Sequence, residues 1–142
     1  KFEKVLNTNK TYFDFKKKIN NLSKKLKILI KNLSKRKKTI HIYGASTKGN
    51  VLIQYSNLNF RNISFAADRN PLKWNKKMPG SNIPIISEKT SRLMKPDFYL
   101  VLPWHFKEDF IKREKQFLLN GGKLIFPLPK IEIFSKKNLK NN

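Results

Sequence analysis

The sequence predicts an α/β fold: a mostly parallel β-sheet flanked by helices, preceded by a long amphipathic N-terminal helix. Three observations carry this. Short β-branched or aromatic runs alternate with segments of helical periodicity, the pattern of parallel strands joined by crossover helices. One run, Phe98 to Leu102 (FYLVL), is apolar at every position, as a strand buried on both faces must be. And Tyr12, Phe15, Ile19, Leu22, Leu26, Leu29 and Leu33 recur at steps of three and four, which places them on one face of a helix. Right-handed crossovers make such an arrangement Rossmann-like.

Taken in order, residues 1–10 read as a lead-in, 11–38 as the amphipathic helix, 39–135 as the Rossmann-like domain and 136–142 as a flexible basic tail. Thr11 followed by Asp14 resembles a capping box at the helix start. The apolar stripe also reads as a short heptad seam, so a dimer through this helix is the alternative to packing on its own domain. Thr39 to Tyr43 predicts the first strand, and a helix follows from about Lys48 to Ser56. Asn62 to Ala67 predicts the second strand, ending at Asp68. The proline- and glycine-bearing stretch Arg69 to Pro84 reads as loop. Ile85 and Ile86 read as a short strand, and a helix is expected near Glu88 to Met94. After Phe98 to Leu102, an amphipathic helix is expected over Phe106 to Leu119, closed by Asn120, Gly121 and Gly122. Lys123 to Phe126 adds a strand, and Ile131 to Phe134 an edge strand beyond Pro127 and Pro129.

Composition narrows the function. The 142 residues form one domain by size. There is no cysteine, which excludes a disulfide scaffold, a thiolate metal site and a cysteine nucleophile. No apolar run reaches the length of a membrane helix, so no membrane partner is expected. The formal net charge is +23, which suggests an anionic partner. Yet only Arg36, Arg61, Arg69, Arg92 and Arg113 are arginines among 32 basic residues, and nucleic-acid readers favour arginine for bidentate contacts. The charge therefore reads first as a lysine-biased solvated surface. The first residue is Lys rather than Met, so a piece of a longer protein is expected.

In open α/β sheets, ligands bind beyond the carboxyl ends of the strands. The unusual loops all fall there. Gly44, Ala45, Ser46, Thr47, Lys48, Gly49 and Asn50 follow a strand and open a helix. Small residues admit a phosphate, a helix N-terminus supplies free N–H groups, and Ser46, Thr47 and Lys48 add donors. The loop matches neither the P-loop nor the full dinucleotide fingerprint, and a tight turn whose glycines serve packing is the competing reading. Asp68, Arg69, Asn70 and Pro71 follow the second strand, with Asp68 near the spacing of a ribose-binding acid or, equally, of a turn cap. In Pro103, Trp104, His105 and Phe106, Trp104 could stack on a base or sugar and His105 is the candidate acid–base group. His41, the other histidine, alternates within a strand and reads as structural. No His, Asp or Glu spacing suits a metal.

Four blocks in this order and spacing, YGASTKGN, AADRNPLKWNKKMPGSNIPI, DFYLVLPWHFKEDFI and GGKLIFPLP, resemble the C-terminal domain of the SAM-dependent sugar-nucleotide C-methyltransferases. The resemblance spans nearly the whole chain. It implies a parent with a zinc-binding N-terminal domain, a central SAM-binding methyltransferase domain and this Rossmann-like domain. It further implies methyl transfer to a carbon of a keto-deoxysugar on a nucleoside diphosphate. The Gly44 to Asn50 loop would face the diphosphate. Asp68, Arg69, Asn70 and Pro71 match the family's DRNP segment, and Pro103, Trp104 and Phe106 its PW-x-F segment, where asparagine is more usual at the position of His105. By this resemblance the chain binds a nucleoside-diphosphate sugar and needs a SAM-binding domain of the same polypeptide. SAM and a structural zinc belong to the full-length parent, with no cofactor expected on this chain, which alone would be inactive and cytoplasmic. A stand-alone nucleotide- or dinucleotide-binding domain is the second reading. A basic nucleic-acid-binding module is the third, and nucleic acid is not an expected partner.

Overall fold

A computed structural model describes residues 2 to 139. Lys1, where the expected lead-in starts, and 140–142, the end of the expected tail, lie outside the described residues. Strands β1 (Ile40–Tyr43), β2 (Phe65–Asp68), β3 (Ile85–Ser87), β4 (Phe98–Val101), β5 (Lys123–Phe126) and β6 (Glu132–Phe134) form one sheet in the order β3-β2-β1-β4-β5-β6. Neighbours are parallel except β5 and β6. The chain therefore winds one way from β1 to β3, then crosses to the other side of β1 with β4. The reversal between β1 and β4 is the topological switch point, where two loops diverge and leave a crevice. Thr39 and Asp97 fix the register at the opposite end: Thr39 N–H donates to Asp97 Oδ2 (2.8 Å), and Asp97 N–H donates to Thr39 Oγ1 (3.0 Å).

Strand alternation divides the core. Ile40, Ile42, Phe98, Leu100 and Ile125 face one side. Leu26, Ile30 and Leu33 of helix α1 (Phe2–Lys35) and Leu52 and Ile53 of α2 (Thr47–Tyr55) cover them. Tyr43, Tyr99, Val101, Leu124 and Phe126 face the other, under Phe110 of α4 (Lys107–Arg113) and Leu118 of α5 (Lys115–Leu119). Each such side chain contributes about 1.5–3 kcal/mol on burial. Helix α3 (Glu88–Met94), capped by Ser87, lies within the limits read from the sequence.

Five expectations need correction. The helix begins at Phe2, so residues 2–10 are helical and Thr11 and Asp14 lie within the helix rather than at its start. Its apolar stripe divides: Leu26, Ile30 and Leu33 are buried, whereas residues 9–18 are all exposed, including Tyr12, Phe13 and Phe15. The second strand starts at Phe65, because Asn59 accepts the N–H groups of Asn62 and Ile63 and curls that segment into a turn. The helix expected over Phe106 to Leu119 is a 3₁₀ turn (Trp104–Phe106) followed by α4 and α5, divided at Glu114. The start of the expected tail, Lys136–Leu139, is one helical turn, α6.

His41 is structural in its setting. It is 3% exposed on β1, with Nδ1 2.7 Å from Ser91 Oγ, which in turn lies 2.6 Å from the Tyr99 hydroxyl. Burial lowers its pKa to about 4 from the ordinary 6.5. The unfolded chain takes up this proton near pH 6.5 and the folded chain only near pH 4. Stability is therefore complete above the unfolded value and falls as pH drops through this window, by roughly 3 kcal/mol. Urea unfolding of the wild type and His41→Asn at pH 7 and pH 4 checks this. The wild type is expected to lose roughly 3 kcal/mol more than the variant, and equal losses would refute the assignment.

Candidate functional site

The loop after β1 is shaped by what surrounds it. Gly44 has φ +87°, and a Cβ there would lie 2.7 Å from Pro103 Cγ, so the β1 and β4 loops touch through a position only glycine fits. A Cβ on Gly49 would lie 2.5 Å from Leu102 Cδ1, which lets α2 pack closely on the end of β4. Ser46 caps α2 by accepting the Gly49 N–H (3.1 Å). Asp68 holds the loop from β2: its Oδ2 accepts the Ala45 N–H (2.9 Å) and its Oδ1 the Asn70 N–H (2.8 Å). Asn70 Oδ1 accepts the Leu72 N–H (3.1 Å), starting a 3₁₀ turn over Pro71–Lys73. Lys73 Nζ returns to Ala45 O (3.0 Å) and stands 3.5 Å from Asp68 Oδ2. The carboxylate Asp68 thus ties two loops together, as a turn cap does.

These loops border a cleft of about 390 Å³ at the switch point. Tyr43, Pro103, Phe106 and Phe110 give it apolar walls, and Arg69, Lys73, Glu88, Asp109 and Arg113 give it charged edges. Volume and lining suit a small organic ligand with charged or polar ends. Behind it lies a network. The Tyr43 hydroxyl donates to Glu114 Oε1 (2.9 Å) and accepts from the Arg92 guanidinium (2.6 Å) and Arg113 (3.3 Å). Arg92 also donates to Glu114 Oε1 (2.6 Å), and Glu88 lies 3.4 Å from Arg92 and 3.5 Å from Arg69. Glu114 is 2% exposed, and the break between α4 and α5 falls at this residue. Burial, then the neighbouring Glu114, raises the Tyr43 pKa above the ordinary phenol range, so it remains a neutral hydrogen-bond donor. The Arg92 pKa is raised chiefly by its bond to Glu114.

Six of the residues singled out from the sequence line the cleft: Gly44, Ser46, Asp68, Arg69, Pro103 and Phe106. Ala45, Asn70 and Pro71 build the loops around it. Thr47 and Lys48 are exposed at the start of α2, and Lys48 is not among the lining residues. Asn50 Oδ1 is screened from solvent with no hydrogen-bond partner among the described residues. Trp104 stacks on His105 at 4.8 Å, and neither lines the cleft. Sequence reasoning missed Tyr43, Lys73, Glu88, Asp109, Phe110, Arg113 and Glu114. One signal was present: Glu114 lies at helical spacing from Phe110 and Leu118, on one face.

A family model described as the C-methyltransferase C-terminal domain matches residues 2–129. The chain belongs to this family. It is also 41% identical over 101 residues to the C-methyltransferase NovU of Streptomyces niveus, a match covering 71% of this chain and 24% of that protein. The chain thus spans about a quarter of that relative's length. In this C-methyltransferase C-terminal domain, the match takes in α1 with its exposed aromatic residues as well as strands β1 to β5. Among the described residues no helix is long and apolar enough to cross a membrane. No group of three or more His, Cys, Asp or Glu side chains there could hold a metal ion. The described residues do not suit a zinc site.

Proposed function

We propose that this domain holds the nucleoside-diphosphate sugar of a SAM-dependent C-methyltransferase, in the cleft at the switch point. The observation that carries the reading is the cleft's make-up: aromatic walls for rings, and Arg69, Lys73 and Arg113 at the edges for phosphate oxygens. SAM supplies the methyl group in the parent enzyme. What this chain contributes is binding and orientation, since a sugar held in line with the methyl donor needs less entropy to react. His105 lies outside the cleft, so no proton-removing role is assigned here. The exposed Tyr12, Phe13 and Phe15 support a covering surface beyond this chain, which the reading places on the SAM-binding part of the same polypeptide.

Calorimetric titration tests the reading. One among dTDP, UDP, GDP and CDP is expected to bind saturably at low and moderate salt, whereas SAM and a short DNA duplex do not. Duplex binding that falls steeply with salt and ignores the nucleotide would favour the basic-surface reading instead.

A further inference from the structure

The sequence placed the anion at the Gly44 to Asn50 loop, with Lys48 as its cation. The geometry points elsewhere. Arg69 Nε lies 3.5 Å and Arg113 NH1 3.9 Å from one and the same oxygen, Glu88 Oε1. Two guanidiniums from different elements, one after β2 and one at the end of α4, thus converge on a single carboxylate oxygen at the edge of the cleft. The distances are those of loose ion pairs, not of hydrogen bonds. Arg69 is 69% exposed at its side chain and has no other ion-pair partner among the described residues. Glu88 itself is 15% exposed and also reaches Arg92. The Glu88 oxygen therefore sits where an oxygen of a bound phosphate would meet both arginines, and bidentate recognition of phosphate is what guanidinium forks do best.

We propose that Arg69 and Arg113 form the clamp for the phosphate oxygens of the ligand, and that Glu88 is the competing carboxylate that the ligand displaces. This rests on the nucleotide-binding reading and specifies its anion contacts. Glu88 then limits affinity: it neutralises the clamp in the free protein and repels the incoming anion. Such a residue prevents the cleft of a +23 protein from retaining any passing anion, and leaves selection to ligands that also fill the apolar slot.

The test titrates the full chain with inorganic pyrophosphate, with the nucleoside diphosphate it binds and with the matching uncharged nucleoside. Glu88→Gln is expected to tighten pyrophosphate and nucleotide about tenfold and leave the nucleoside unchanged. Arg69→Met, at an exposed site, is expected to weaken both anions roughly tenfold, and Arg113→Lys to weaken them although it retains the charge. Circular dichroism confirms that each variant is folded. If Glu88→Gln binds no more tightly, or Lys48→Ala abolishes binding while Arg69→Met does not, the clamp is wrong and the nucleotide reading stands. If the wild type binds neither pyrophosphate nor any nucleoside diphosphate, both are wrong.

Discussion

Replacing Arg92 with methionine is expected to destabilise the domain by about 3 kcal/mol. The reason lies in Glu114, which is almost fully buried and holds its carboxylate against Arg92 and the Tyr43 hydroxyl. Removing the arginine leaves the charge with one neutral donor, the Tyr43 hydroxyl, and without the counter-ion bonded directly to it. Arg92 is 40% exposed, so water reaches part of the gap and the loss belongs at the lower end of the range for broken buried pairs. Adding Glu114→Gln removes the orphaned charge, and the double variant is expected to recover most of the loss. Urea denaturation of the two single variants and the double closes the cycle. A single variant within 1 kcal/mol of wild type, or a double variant worse than either, would show that the pair is not the support of the cleft's rear wall.

Gly44→Ala is expected to cost about 3 kcal/mol and to abolish ligand binding. Two causes add. The residue sits at φ +87°, a conformation that strains any L-residue, and its new methyl would meet the Pro103 ring at 2.7 Å. Pro103 cannot rotate away as a long side chain could, so the β1 and β4 loops must part, and they are two sides of the crevice. Gly121 separates the causes. It has φ +99° with nothing within 4 Å of its would-be Cβ, so Gly121→Ala carries strain alone. Its expected cost is about 1 kcal/mol with binding retained. Thermal denaturation and nucleotide titration of the two variants decide, and equal effects would mean that loop contact contributes nothing.

The sheet was legible because each strand carries its own signal. The apolar run at Phe98 and the β-branched run before Gly44 have the composition of strands, and the alternation of strands with helices favours parallel pairing. The break at Glu114 was not legible, since local periodicity continues through it. The break falls at a residue whose buried carboxylate is bonded to Arg92 on another helix, a tertiary contact that local periodicity does not encode. The long helix was half legible for a related reason: its stripe marks apolar residues but not which of them this domain can cover. At the site, the loop glycines and Asp68 stood out because turns have local chemistry. Their roles divided between the readings left open. Ser46 and Asp68 cap and tie loops, and the glycines permit close packing. Glu88 and Arg113 were missed because a lone Glu and a lone Arg in helices carry no local pattern, and only the fold brings them to one edge.

The most direct test is backbone chemical-shift mapping by NMR as the nucleoside diphosphate is titrated at moderate salt. The account predicts saturable shifts confined to residues 43–46, 68–73, 88 and 103–113, around the cleft, with α1 unmoved. Shifts spread along the lysines of α1, vanishing as salt is raised, would contradict it and return the function to the basic surface.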